Sequence, residues 1–120
     1  MAKILLVDDD DVLRFGLLKL LQSAGYQVLE ASNGLKVPLI LAIERPDLMI
    51  CDIIMPEREG IETIIDARQK YPKLRIIAMS VDDVYLGAAE GLGANAVMRK
   101  KFNTESWQEL LDMIELQLSF

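Results

Sequence analysis

Five short apolar runs, each followed by a segment with helical spacing, constrain the fold of this 120-residue chain more than any other feature. The run at 48–51 contains no polar side chain, which is typical of a central parallel strand covered on both faces. The other runs are residues 3–7, 26–31, 75–79 and 96–98. Strands that alternate with helices in this way predict an α/β domain of three layers with a five-stranded parallel sheet.

The helical segments have recognisable limits. The first ends at Gly25, because glycine often stops a helix in the left-handed conformation. The third closes at Tyr71-Pro72, and Asp82-Asp83 can cap the fourth. The last helix starts at Asn103 or Thr104. The expected core positions of the first and last helices are Leu13, Leu17, Leu20, Leu21, Ala24, Trp107, Leu110, Leu111, Ile114 and Leu118.

The second helical segment, 35–44, is unusually apolar. Lys36 is almost its only polar residue before Glu44, and Pro38 must lie in the first turn because proline breaks a helix interior. A helix without a polar face is either buried all round or presents a surface to a partner. Both interpretations stay open from the sequence.

Composition narrows the class of protein. An apolar content of 52% is ample for one core, so we expect a single domain over residues 1–120. A formal net charge of −6 argues against direct nucleic-acid binding, which needs clustered Lys and Arg. One cysteine and no histidine exclude a disulfide framework and the common zinc patterns, but carboxylates can still bind hard cations. No apolar run reaches the roughly 18 residues of a membrane span, so we expect a soluble, cytoplasmic protein without membrane contact.

Polar residues follow four of the five strands, and these residues carry the chemistry. Asp8 and Asp9, Asp52, Ser80 and Lys100 should converge, because right-handed crossovers bring all strand ends to one edge of the sheet. Three carboxylates repel, and a divalent cation, a proton held at raised pKa or the Lys100 ammonium would relieve that repulsion. Magnesium suits best, since it binds one or two carboxylates together with phosphate oxygens. The set predicts a phosphoryl-transfer site.

Taken in order, seven short motifs resemble the receiver domain of two-component response regulators over the whole chain. The motifs are Val7–Asp9, Pro46–Leu48, Asp52–Pro56, Gly60, Ile76–Ser80, Gly93-Ala94 and Lys100–Phe102. The resemblance implies a doubly wound, flavodoxin-like or CheY-like fold with strand order 2-1-3-4-5. It also implies that Asp52 accepts a phosphoryl group from the phosphohistidine of a sensor histidine kinase or a histidine phosphotransfer protein. Since this chain has no histidine, it cannot supply that donor itself.

The resemblance also assigns the other site residues. Asp9 and the phosphoacceptor would bind Mg²⁺ directly, Asp8 would act through water, Ser80 would sense the phosphate and Lys100 would pair with it. The implied magnesium ligands are Asp8, Asp9, Asp52 and the backbone carbonyl of Ile54. Such a phosphoprotein is a signalling domain that catalyses only its own phosphorylation and dephosphorylation. Its output would pass to an unidentified protein partner, and a homodimer is compatible with this reading.

Four residues depart from the family pattern, and one of them, Ile54, supplies no polar side chain two residues after Asp52. Lys101 replaces the usual proline after Lys100, Val97 replaces an aromatic residue, and Val81 replaces a small residue beside Ser80. These three departures favour an alternative, a pseudo-receiver that binds proteins without being phosphorylated.

Two further function classes fit less well. An aspartate-nucleophile phosphatase would need an acid two residues after the nucleophile, where Ile54 stands. A carrier of flavin mononucleotide would find its phosphate repelled by the four aspartates of the first loop.

Overall fold

The computed structural model describes residues 1–54, 60–81, 83–100 and 104–120, without the side chains of 83–85 and 104–105. It contains one five-stranded parallel sheet in the order β2-β1-β3-β4-β5. The strands are β1 (Lys3–Val7), β2 (Gln27–Ala31), β3 (Leu48–Asp52), β4 (Arg75–Ser80) and β5 (Ala96–Arg99). The predicted fold class and strand order are therefore confirmed.

A helix follows each strand along the chain. The helices are α1 (Asp11–Ser23), α2 (Val37–Glu44), α3 (Gly60–Lys70), α4 (Asp83–Gly91) and α5 (Thr104–Leu118). The Asp10 carboxylate caps α1 by accepting hydrogen bonds from the amides of Val12 and Leu13. Gly25 follows α1 with φ +95°, and Pro38 lies in the first turn of α2, both as predicted. Among the described helices, none is long and apolar enough to cross a membrane.

The sheet separates two apolar cores, because successive strand residues point to opposite faces. On one face, Leu17 of α1 and Ile114 of α5 pack against β1 and β3 through Leu6 and Ile50. On the other face α2, α3 and α4 cover the sheet. Every residue of β3 is buried, which confirms its central position. Each fully buried leucine or isoleucine contributes about 1.5–3 kcal/mol to folding.

One expected core position of α1, Ala24, is wrong. Ala24 is exposed rather than part of the core, because α1 ends one residue earlier. Leu92 lies just beyond the end of α4 and is 43% exposed. The apolar α2 is not buried all round: Leu39 and Ile43 are 63% and 67% exposed. The predicted cap at Asp82 lies outside the described residues.

Candidate functional site

The register of the parallel strands places the predicted site residues at one edge of the sheet. Val7 pairs with Cys51, and Cys51 pairs with Ala78, so these three residues lie side by side near the ends of β1, β3 and β4. Asp8 directly follows β1, and Asp52 is the last residue of β3. Parallel topology therefore brings together two carboxylates that are far apart in sequence.

Backbone hydrogen bonds continue the sheet past the strand ends and hold the site residues in place. The amide of Asp8 donates to the carbonyl of Ala31 at 3.1 Å. At the other side of the site, the amide of Lys100 donates to the carbonyl of Ser80 at 2.9 Å. Because the main chain is fixed on both sides, the charged side chains extend from rigid positions.

Lys100 lies between the two buried carboxylates. Its Nζ atom is 2.8 Å from Oδ2 of Asp8 and 3.0 Å from Oδ2 of Asp52. The three side chains are 10%, 0% and 7% exposed, respectively. Ion pairs as buried as these require good geometry, since each charge has lost its hydration. The predicted convergence of Asp8, Asp52 and Lys100 is thus observed directly.

The carboxylate of Asp8 is incompletely satisfied. Its Oδ1 atom accepts a hydrogen bond of 2.9 Å from the amide of Asp10. Its Oδ2 atom is buried and, among the described residues, receives no well-directed hydrogen bond, so the contact with Lys100 is one of charge. A buried anionic oxygen with spare coordinating capacity is suited to a cation or a bridging water.

Burial raises the pKa of Asp52 to about 6, against the lowering effect of the Lys100 ammonium and with a further increase from the Asp8 charge. Its Oδ1 atom also accepts a hydrogen bond of 3.3 Å from the amide of Ile54, which favours the charged form. For Lys100, burial lowers the pKa, but the carboxylates of Asp8 and Asp52 outweigh that effect and the net pKa is raised. The lysine is therefore held as a cation beside a carboxyl group that is unusually easy to protonate.

A divalent cation fits this cluster. Asp8, Asp9 and Asp52 each offer a carboxylate oxygen, and these oxygens lie within 4.8 Å of one another. Asp9 is exposed while the other two are buried, so the cluster has one open side. All-oxygen donors and an open side are what Mg²⁺ prefers, because it keeps several of its waters. The fourth predicted ligand is the backbone carbonyl of Ile54, which lies two residues after Asp52 in the chain.

The remaining predicted residues lie around the cluster. Ser80 ends β4 with its side chain buried, and Val81 beside it is 57% exposed. Val97 is half-buried and packs against the core formed with α2, α3 and α4. The peptide between Lys100 and Lys101 lies outside the described residues.

Arg14 is a site-supporting residue that the sequence did not single out. Its guanidinium donates to the carbonyl oxygen of Asp8 at 2.6 Å, to Asp11 at 2.8 Å and to Glu30 of β2 at 3.2 Å. Burial alone would lower its pKa, but the two acidic partners raise it. The side chain therefore ties the acidic loop to β2. The three-residue spacing from Asp11 on the helix was the available signal.

Gly60 supports the site from the other side. Its amide donates to the carbonyl of Ile53 at 2.7 Å, and a Cβ atom here would overlap the carbonyl oxygen of Asp52. Only glycine lets the start of α3 approach the end of β3 this closely. The sequence singled out this residue as one of the family motifs, but it could not show the contact.

Cys51 takes no part in the chemistry. It is fully buried, and burial raises the pKa of its thiol so far that the thiolate is inaccessible. It packs as a small apolar side chain in the core.

Comparison with known proteins agrees with the geometry. The model of the response regulator receiver domain family matches residues 4–115. PdtaR, a transcriptional regulatory protein of Mycobacterium tuberculosis, is 31% identical over 120 residues, which cover 98% of this chain and 57% of that protein. CpxR, a transcriptional regulatory protein of Klebsiella pneumoniae, is 39% identical over 106 residues, which cover 86% and 44%. The chain thus spans about half the length of these relatives.

A solved structure shows the same architecture. The response regulator TrrA of Thermotoga maritima, crystallised in complex with Mg(2+)-BeF, superposes with a TM-score of 0.89 at 30% sequence identity. The match covers 98% of this chain and 99% of that chain.

Proposed function

This chain belongs to the response regulator receiver domain family of two-component signalling, and on that premise we propose that Asp52 is its phosphoacceptor. The observation that carries the proposal is the buried carboxylate of Asp52 at the end of β3, 3.0 Å from the Lys100 ammonium. A strand-end carboxylate held against a fixed cation is equipped to receive a phosphoryl group.

In the proposed reaction, an oxygen of Asp52 forms a bond to phosphorus while the bond between phosphorus and the donor's imidazole nitrogen breaks. Lys100 then pairs with a phosphoryl oxygen, and its raised pKa keeps it charged throughout. The proposed donor is the phosphohistidine of a histidine kinase or histidine phosphotransfer protein, as membership of the family implies. Residues 1–120 contain no histidine and do not supply it. The domain acts on itself and is not a metabolic enzyme.

Mg²⁺ is the metal that the cluster fits best. Asp9 and Asp52 would hold it together with the carbonyl of Ile54, and Asp8 would act through a water. When bound, the ion neutralises charge on the carboxylates and on the incoming phosphoryl oxygens. The Mg(2+)-BeF complex of TrrA supports this choice, since that relative is similar over the whole chain.

Ser80 is the proposed phosphate sensor. It ends β4, which pairs with β3, and Val81 directly follows it. A shift of the Ser80 hydroxyl toward the phosphate would therefore move the chain that leads into α4. Val97 has no aromatic ring that could turn inward as a switch. The proposed movement of the chain leading into α4 would therefore carry the signal instead. A downstream protein reads the change, since the acidic chain has no basic footprint for DNA.

Intact-mass spectrometry after incubation with acetyl phosphate tests the proposal. We expect one phosphoryl adduct on the parent with Mg²⁺ and none with EDTA. Asp52→Asn should lose the adduct. Asp10→Asn is the matched control, because it makes the same change at a helix cap and asparagine caps equally well. A parent that binds Mg²⁺ but takes no phosphate would indicate the pseudo-receiver instead, and equal labelling of Asp52→Asn would refute the assignment.

A further inference from the structure

A large groove lies at the opposite edge of the sheet from Asp52. It has a volume of about 490 Å³ and lies between the last turn of α2 and the loop that follows α3. Its volume falls in the range of ligand-binding clefts. The proposed phosphoacceptor function does not use it, so it needs a separate explanation.

The floor of the groove is apolar. Leu41, Pro46 and Leu74 are buried, and Tyr71 is half-buried beside them. The three buried residues leave little surface for a ligand, so an extended chain would seat an apolar side chain on the rings of Tyr71 and the exposed Pro72. The apolar floor alone does not indicate what kind of ligand the groove binds. The charged side chains around it give that indication.

Three cations surround this floor. Arg45, Lys70 and Lys73 line the groove and are exposed. In the part of the chain that the structure describes, none of the three forms an ion pair, whereas Lys3, Arg14 and Lys100 all do. The one acidic side chain of the lining, Asp47, already accepts a hydrogen bond of 2.8 Å from the amide of Lys3. A chain of net charge −6 thus concentrates unpaired positive charge here.

The backbone of Arg45 is the second observation. It is the one non-glycine residue with positive φ, +46°, in the described chain, and it ends α2 in the left-handed conformation. Glycine adopts this conformation at lower free energy and stops α1 in that way at Gly25. A strained arginine at a position suited to glycine indicates that the side chain itself is needed.

The groove is also rigid before any ligand arrives. Arg68 donates from its guanidinium to the carbonyls of Tyr71 and Pro72 at 3.3 and 2.9 Å, and to that of Gly93 at 2.9 Å. The amide of Leu74 closes the turn by donating to the carbonyl of Tyr71. A preformed wall reduces the entropy lost on binding.

We propose that this groove binds an acidic linear segment of a partner protein, with an apolar side chain on the floor and carboxylates facing Arg45, Lys70 and Lys73. The open shape suits an extended chain, and the unpaired cations set the charge of the ligand. This site is independent of Asp52 and would act as a docking surface.

Fluorescence anisotropy tests the proposal with a labelled peptide of glutamates flanking one leucine. We expect measurable binding that weakens as salt rises. The double variant Lys70→Glu with Lys73→Glu should bind at least tenfold more weakly. Lys36→Glu is the control for the change of charge. Lys36 is an exposed cation at the start of α2 and does not line the groove. A peptide with alanine in place of leucine should bind at least threefold more weakly.

Arg45→Gly separates function from folding. We expect a higher urea midpoint than that of the parent, because glycine relieves the left-handed strain, together with at least fivefold weaker peptide binding. The proposal would be overturned if the parent did not bind the peptide at millimolar concentration, or if Lys36→Glu weakened binding as much as the double variant does. It would also be overturned if Arg45→Gly bound the peptide as tightly as the parent, or if the leucine and alanine peptides bound equally well.

Discussion

The two edges of the sheet differ in the burial and pairing of their charged side chains. At the carboxyl-terminal edge, Lys100 and its carboxylate partners Asp8 and Asp52 are almost fully buried and paired with one another. At the amino-terminal edge, Lys70 and Lys73 are exposed around a groove of about 490 Å³. Buried, paired charge thus marks the edge to which we assign the proposed phosphoryl transfer, whereas open volume with unpaired charge marks the edge to which we assign docking.

Removing the buried cation should have the largest effect on stability. Lys100→Met leaves two buried carboxylates without their partner, which costs about 3–5 kcal/mol in unfolding free energy. Lys73→Met, the same change at the opposite edge, should stay within about 0.5 kcal/mol. Urea titration in EDTA measures both, and added Mg²⁺ should restore part of the loss in the Lys100 variant only. Equal effects at the two edges would contradict the contrast.

A methyl group at Gly60 should disturb the same edge through packing. In Gly60→Ala the new Cβ overlaps the carbonyl oxygen of Asp52, and we expect a loss of about 3 kcal/mol, at the upper end for overpacking. Gly87→Ala is the matched control within α4, where a Cβ meets nothing within 4 Å. It should stabilise the domain by about 0.5–1 kcal/mol, since glycine disfavours helices. If Gly60→Ala is neutral in a urea titration, α3 does not pack as described.

The pH dependence of stability should show a smaller effect. Because the folded-state pKa of Asp52 is about 6, above its ordinary 3.8, the folded state binds this proton more tightly than the unfolded state does. The corresponding stability is present below pH 4 and is lost as the pH rises through about 6. The Asp52→Asn variant has no carboxyl group at this position, so its folding stability does not fall over this pH range for this reason.

We therefore expect Asp52→Asn to be about 1–2 kcal/mol more stable than the parent at pH 7 in EDTA. The full difference between the folded and ordinary pKa values of Asp52 would give a larger gain in stability. The gain is smaller because Lys100 loses one of its two anionic partners in this variant. Thermal unfolding between pH 4 and 7 measures the effect, and Asp10→Asn serves again as control. A pH profile of Asp52→Asn that parallels the parent's would show that Asp52 keeps an ordinary pKa.

The candidate site was predictable because it depends on local patterns. Asp8, Asp52, Ser80 and Lys100 each follow an apolar run, and parallel topology alone brings such positions to one edge. The supporting contacts were not predictable. Arg14 reaches Glu30 of β2 across the fold, and such a contact has no signature in the spacing of nearby residues.

The sequence by itself determined the order of the elements, the parallel sheet and the residues of the candidate site, since periodicity and strand-end polarity are properties of short segments. Only the tertiary structure decided which side of α2 faces solvent, because a helix that is apolar all round contains no preferred face until neighbours cover one. It likewise decided the pKa of Asp52 and the groove at Arg45. Burial and the convergence of distant charges arise from packing, and packing depends on the whole chain at once.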